Sequence, residues 1–161
     1  MDEMSEAIGR ALGDDKLMLS KLAAGNYFRI HDSGDFYGSG AGRFAYFDAW
    51  VQVILRFPQV RFWAPTRMWV FPDWRAHMIG AFQSLGQKLS NFALRPSALI
   101  YGTRAPMIHG LPAGSTAASI PMEPMGHWDC PAYKSLEGSC VGSCCRTCWD
   151  RPDVPVNYHV H

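Results

Sequence analysis

YFRIHDSGDFYGSGAGRFAYFDAWVQVILRFPQVRFWAP, residues 27–65, is the stretch on which the fold turns. It opens with the β-forming run YFRI (27–30) and passes into the polar, glycine-rich HDSGDFYGSGAG, so a strand running into a loop is expected. FAYFDAWVQVILRF (44–57) is apolar around most of its circumference and stops at Pro58, as a helix buried between layers does. VRFWAP (60–65) then reads as a second strand, and PTR opens another loop. Strand, helix and strand joined by short connections form the parallel βαβ unit, in which a right-handed crossover lays the helix against the sheet.

The pattern continues downstream. WRAHMIGAFQSLGQKL (74–89) is an amphipathic helix after the start signal Pro72-Asp73, and FALRPSALI (92–100) is a third strand broken at Pro96. The fold class is therefore α/β, a small open parallel sheet or a partial barrel built from βα units. Three strands are too few for a closed eight-stranded barrel. Upstream, Ala7, Ile8, Leu12, Leu17, Leu19 and Leu22 fall at helical spacing, which predicts one or two helices over residues 3–23, stopped by Gly25-Asn26. From about residue 102 the chain is rich in Gly, Pro, Met and Ser and loses periodicity. An irregular, cysteine-rich C-terminal segment is expected there. With 161 residues and 48% hydrophobic content, the chain is expected to be one domain, a βα segment over 1–101 and a metal-binding segment over 102–161.

Charge and hydropathy narrow the function classes. The formal net charge of +1 supplies no global field toward nucleic acid. The longest apolar run, WVQVILRFPQVRFW, is interrupted by Arg56, Pro58 and Arg61, short of the roughly 20 residues that a membrane span needs. The acidic start MDEMSEAIGRALGDDK has no apolar core of a secretory signal, which predicts a cytoplasmic protein. An aromatic content of 13% fits a bulky core and leaves open a protein partner bound through exposed aromatics.

In parallel α/β sheets ligands collect where the strands end. His31, Asp32, Ser33 and Asp35 follow the first strand, Thr66 and Arg67 the second, and Ser97 lies near the third. Two carboxylates, an imidazole, hydroxyls and a guanidinium on one edge can bind a polar ligand or move protons. Equally, Asp32 and Ser33 suit a turn, and Asp35 suits an ion pair with Arg67.

The five cysteines are bunched at Cys130, Cys140, Cys144, Cys145 and Cys148. In a reducing compartment such bunching points to metal rather than disulfides. Cys130, Cys140, Cys145 and Cys148 give C-x9-C-x4-C-x2-C, and the Cys145-x2-Cys148 pair lets two thiolates reach one ion. Cys144 is an alternative to Cys145. A [4Fe–4S] cluster suits bunched cysteines with a Cys-Pro such as Cys130-Pro131, whereas zinc asks for four thiolates or for three with His127. Trp128 and Trp149 flank the ligands, as local core or as a shield against water.

The run from FRIHDSGDF to APTR, the segment CRTCWD (145–150) and the closing YHVH together resemble the phage gene 88 protein family. RIHDSGDF (29–36) and CRTCWD are the sharpest pieces of that resemblance, which spans from about Tyr27 onward. By similarity, the family's cysteine ligands fall on Cys130, Cys140, Cys145 and Cys148, with Cys144 in a short local insertion. Longer relatives carry an N-terminal cysteine motif similar to that of radical S-adenosylmethionine proteins, and this chain has no cysteine before Cys130. The resemblance implies a small phage-type iron–sulfur protein of the host cytoplasm. The alternatives are a zinc-stabilised interaction module and an enzyme acting at the polar strand ends.

Overall fold

The computed structural model describes residues 27–31, 34–134 and 145–159. The helices expected over 3–23 lie outside the described residues, as do Asp32, Ser33, Cys140 and Cys144. Strand β1 (Tyr27–Arg29) leads through a loop to helix α1 (Ala45–Arg56), strand β2 (Arg61–Thr66), helix α2 (Pro72–Leu85) and strand β3 (Phe92–Pro96). The three strands are parallel in the order β1-β2-β3, with Phe28 opposite Phe62 and Phe62 opposite Phe92. The α/β class and the parallel pairing agree with the sequence pattern.

Alternation along the strands assigns the two faces of this sheet. Phe28, Ile30, Phe62, Ala64, Phe92 and Leu94 pack in one cluster with Phe47, Trp50 and Ile54 of α1 and Trp74, Met78 and Phe82 of α2. Both helices therefore cover one face. Two crossovers of one hand that step in the same direction across a sheet place their helices on the same side. α1 has Asp48 in its first turn and Arg56 in its last, both favourable to the helix dipole, and it ends two residues before Pro58. α2 begins with Pro72, whose missing N–H costs nothing at that position, and ends at Gly86 with φ 50°. The Asn91 side-chain amide, just ahead of β3, donates to Val60 O (2.9 Å) and Phe57 O (3.2 Å), which joins the turn after α1 to the third strand.

The second face carries Tyr27, Trp63, Ala93 and Arg95, and the C-terminal residues cover it. Between its loops that segment forms a second parallel sheet of strands β4 (Ser115–Ala118), β5 (Trp128–Asp129) and β6 (Val156–His159), in the order β4-β6-β5. The segment is irregular elsewhere, apart from single 3₁₀ turns and a one-turn helix, α3 (Thr147–Asp150). Strands of two to four residues are too short to show alternation, so composition does not announce them. A parallel bridge from Ser97 to Ser115 links β3 to β4. Trp63 of β2 nevertheless stacks on Tyr158 of β6 at 5.8 Å, so the second sheet folds back over the first. Among the described residues no helix is long and apolar enough to cross a membrane.

Candidate functional site

Two places collect the residues that the sequence singles out. At the carboxyl end of β2, the Asp35 carboxylate accepts hydrogen bonds from Thr66 Oγ1 (2.6 Å), the Arg67 backbone N–H (2.5 Å) and its own neighbour Phe36 N–H (2.7 Å). Asp35, Thr66 and Arg67 are thus brought together. The expected ion pair is not how they meet: Arg67 contributes its backbone, and its side chain is exposed. Backbone geometry explains the difference, because the first amide after the strand already points at the carboxylate and the guanidinium stays hydrated. Ser97 follows β3, and its hydroxyl lies 3.2 Å from that of Ser115.

His31 stands apart from this trio. Its Nε2 meets Tyr46 OH at 3.2 Å, its ring sits edge-on to Phe36, and its buried Nδ1 has no hydrogen-bond partner among the described residues. It is also, among the described residues, the non-glycine residue held at positive φ, 61°, a conformation that costs about 1 kcal/mol or more. Burial lowers the imidazole pKa, with Asp35 opposing the shift and Arg29 adding to it.

The second place is the face of the first sheet that the C-terminal segment covers. Cys130 and Cys148 are both buried there in one cluster with Trp63, Ala93, Trp149 and Val156. Cys130 is held by its backbone N–H donating to Asn157 O (2.9 Å), next to β6. Cys148 lies in α3, with its Sγ 3.5 Å from Tyr158 OH. Cys145 is half-buried one residue before Arg146, and its Sγ is 3.5 Å from Thr147 Oγ1. The α3 turn is tied down by Trp149 Nε1 donating to Phe28 O (3.0 Å) and by Tyr27 OH donating to Asp150 (3.2 Å). Trp149 is therefore core of this face, whereas Trp128 is 43% exposed and covers nothing here.

Arg95 is the residue that sequence reasoning missed. It is 0% exposed, and its guanidinium donates to five backbone carbonyls: Nε to Cys148 O (3.1 Å), Nη1 to Ala113 O (2.9 Å) and Val154 O (2.8 Å), Nη2 to Thr147 O (3.1 Å) and Arg151 O (2.8 Å). All of its N–H donors are used, which is what makes a buried guanidinium tolerable. No carboxylate lies within ion-pair distance of it among the described residues. Burial lowers its pKa, opposed by Tyr158 and then by Cys148. The signal was present in FALRP, where alternation places Arg95 on the same face as Ala93.

Beside the thiols and the guanidinium lies Trp63, 2% exposed, whose buried indole N–H has no hydrogen-bond partner among the described residues. Among the described residues no three His, Cys, Asp or Glu side chains are grouped as a metal site, and Cys140 of the expected ligand set falls outside them. His127 is drawn away from a ligand role at Nε2, which accepts the Ala105 N–H at 3.0 Å.

Fold and site together define a small α/β protein of parallel βα units with two thiols buried on the second face of its sheet. Residues 4–126 match the family described as Gene product 88, and the chain belongs to that family. The match takes in RIHDSGDF and ends ahead of Cys130, so CRTCWD and all five cysteines lie beyond it. No curated protein and no solved structure matches the chain.

Proposed function

We propose that the chain is a phage-type iron–sulfur protein in which Cys130, Cys140, Cys145 and Cys148 hold one [4Fe–4S] cluster in a structural or electron-transfer role. The observation that carries the reading is the burial of Cys130 and Cys148 in one apolar cluster beside a fully buried guanidinium that has no carboxylate within ion-pair distance among the described residues. A positive charge in that position lowers the cost of thiolate anions and of the net negative charge that a thiolate-ligated cluster brings. Bound there, the cluster would supply one-electron chemistry or would staple the irregular segment. The chain's own residues do the rest: Trp149 and Trp63 exclude water, and Arg95 fixes the α3 backbone that presents Cys148. An enzyme at the strand ends has less support, because the Asp35 carboxylate is already engaged by three donors.

Anaerobic purification followed by iron, sulfide and zinc analysis and absorption spectroscopy tests this. Iron and sulfide in near-equal amounts with a band near ~400 nm is the expected result. Cys148→Ser should lose the metal and Cys144→Ser should keep it. A colourless, zinc-loaded protein would replace the cluster by the zinc-stabilised interaction module. In that event the exposed aromatics Tyr37, Phe71, Tyr101 and Trp128 are the surfaces to probe for a protein partner.

A further inference from the structure

We infer that the carboxyl edge of strands β2, β3 and β4 is a self-complementary docking surface on which a second copy of this chain seats, giving a twofold dimer. This goes beyond the iron–sulfur reading and does not rest on it. β2 and β3 are parallel, and the parallel Ser97–Ser115 bridge joins β3 to β4, so the segments that follow these strands leave on one side of the molecule. Each of them places large apolar side chains in solvent: Val70 and Phe71 after β2, Leu99, Ile100 and Tyr101 after β3, and Ile120 after β4, all between 40% and 68% exposed.

The backbone holds these side chains outward. Residues 100–103 form a turn in which the Thr103 N–H and Oγ1 donate to Ile100 O (3.4 and 2.7 Å), with Gly102 at φ 73°. The turn is tied to β4 by Gly102 N–H donating to Ala117 O (2.8 Å) and by Thr116 Oγ1 donating to Thr103 O (2.6 Å). Trp69 Nε1 donates to Ser97 O (2.8 Å), which fixes the segment carrying Val70 and Phe71 to the end of β3. A turn tethered in this way cannot fold its apolar side chains inward, so they stay hydrated in a single copy. The six together offer on the order of 600 Å² per copy, near the ~800 Å² per partner of a stable interface.

The charges along the edge select the occupant. Arg67 follows β2 at one end and Glu123 lies beyond Ile120 at the other, both are exposed, and neither forms an ion pair among the described residues. Asp73 is neutralised by Arg43 at 3.0 Å, and from residue 74 to residue 122 the chain has no Asp or Glu. A surface with a cation at one end, an apolar middle and an anion at the other is complementary to itself after a half-turn. Arg67 of each copy then meets Glu123 of the other, and the apolar side chains meet across the axis. Arg104 is exposed just past the turn, where the Tyr101 ring of the second copy offers it a cation–π contact. An anionic lipid surface or an acidic peptide would set like charge against Glu123.

The test is sedimentation equilibrium of the full chain over a wide concentration range, under anaerobic and reducing conditions so that the cysteines make no covalent dimer. Circular dichroism checks that each variant is folded. The wild type should show a reversible monomer–dimer equilibrium. Ile100→Glu should weaken it about a hundredfold, because it buries a charge at the centre of the contact. Arg67→Glu and Glu123→Arg should each weaken it about tenfold, since twofold symmetry sets like charges together twice, and the two reversals combined should restore it to within about threefold. Arg56→Glu, exposed at the end of α1 on the opposite edge, should leave it unchanged. A wild type that stays monomeric overturns the inference and leaves the edge to another kind of partner. A dimer that survives Ile100→Glu overturns it by placing the contact elsewhere, and single reversals that weaken the dimer without rescue in the double variant overturn the Arg67–Glu123 pairing on which it stands.

Discussion

Arg95 shows how one side chain can replace a core. Five carbonyls from three separate stretches of the C-terminal segment converge on it, so its removal leaves each of them without its charged donor. Arg95→Met should destabilise the protein by about 3–5 kcal/mol in chemical denaturation, and Arg95→Lys by less, because an ammonium has three donors rather than five. Asp35→Asn exchanges one acceptor oxygen for an N–H group facing another donor and should cost about 1–2 kcal/mol. His31 makes a pH-dependent contribution. The fold holds the imidazole with its pKa lowered by burial, so as pH falls the unfolded chain takes up a proton that the folded chain resists. The stability it contributes is present above about pH 6.5 and is lost below it. His31→Asn, which still tolerates the positive φ, should flatten the stability profile between about pH 7 and pH 5. Residue types at strand ends were legible in the sequence because loops follow strands. Their pairing was not, since whether Arg67 offers its guanidinium or its amide to Asp35 depends on backbone direction that spacing does not encode.

At the scale of elements, the βα segment was readable because α1 and α2 are long enough for a 3.6-residue period and the strands alternate cleanly between two apolar faces. The second sheet was not, for the opposite reason. Its strands are short and built of small or polar residues such as STAA and VNYH, and what specifies them is a partner strand far away in sequence. Gly114 lies at the joint between the two halves. Its backbone N–H donates to Pro106 O, its carbonyl accepts from Val156 N–H, and a Cβ there would run into the carbonyl oxygens of Pro96 and Pro106. Gly114→Ala should therefore cost about 1–3 kcal/mol in thermal or chemical unfolding, through displacement of β4 from β3 and β6. An equal stability of Gly114→Ala and wild type would mean that the joint is looser than its contacts imply.

Over the whole molecule, one sheet has two different coverings. Helices seal the first face mainly by apolar packing. The second face is sealed by a segment that mixes aromatic rings, thiols and one guanidinium, and the polar contacts of Arg95 tie that segment down. Removing metal should lower hydrogen-exchange protection over residues 127–134 and 145–159 well before it reaches α1 at residues 45–56. A uniform loss of protection would show that the two coverings fold as one unit. The cysteine spacing announced this asymmetry, but neither Arg95 nor Tyr158 belongs to any motif, and only the return of β6 over β2 brings them to the thiols.

The order β4-β6-β5 carries a consequence for synthesis. The ribosome delivers β4 and β5 before the strand that must lie between them, so neither has its partner while the chain is still being made. The helix-covered sheet, complete by Pro96, can assemble during translation, whereas the second sheet and the thiol-bearing face must wait for β6 to emerge. In the interval Cys130 and Cys148 are open to solvent, and closing β6 into the sheet is the event that shuts them in.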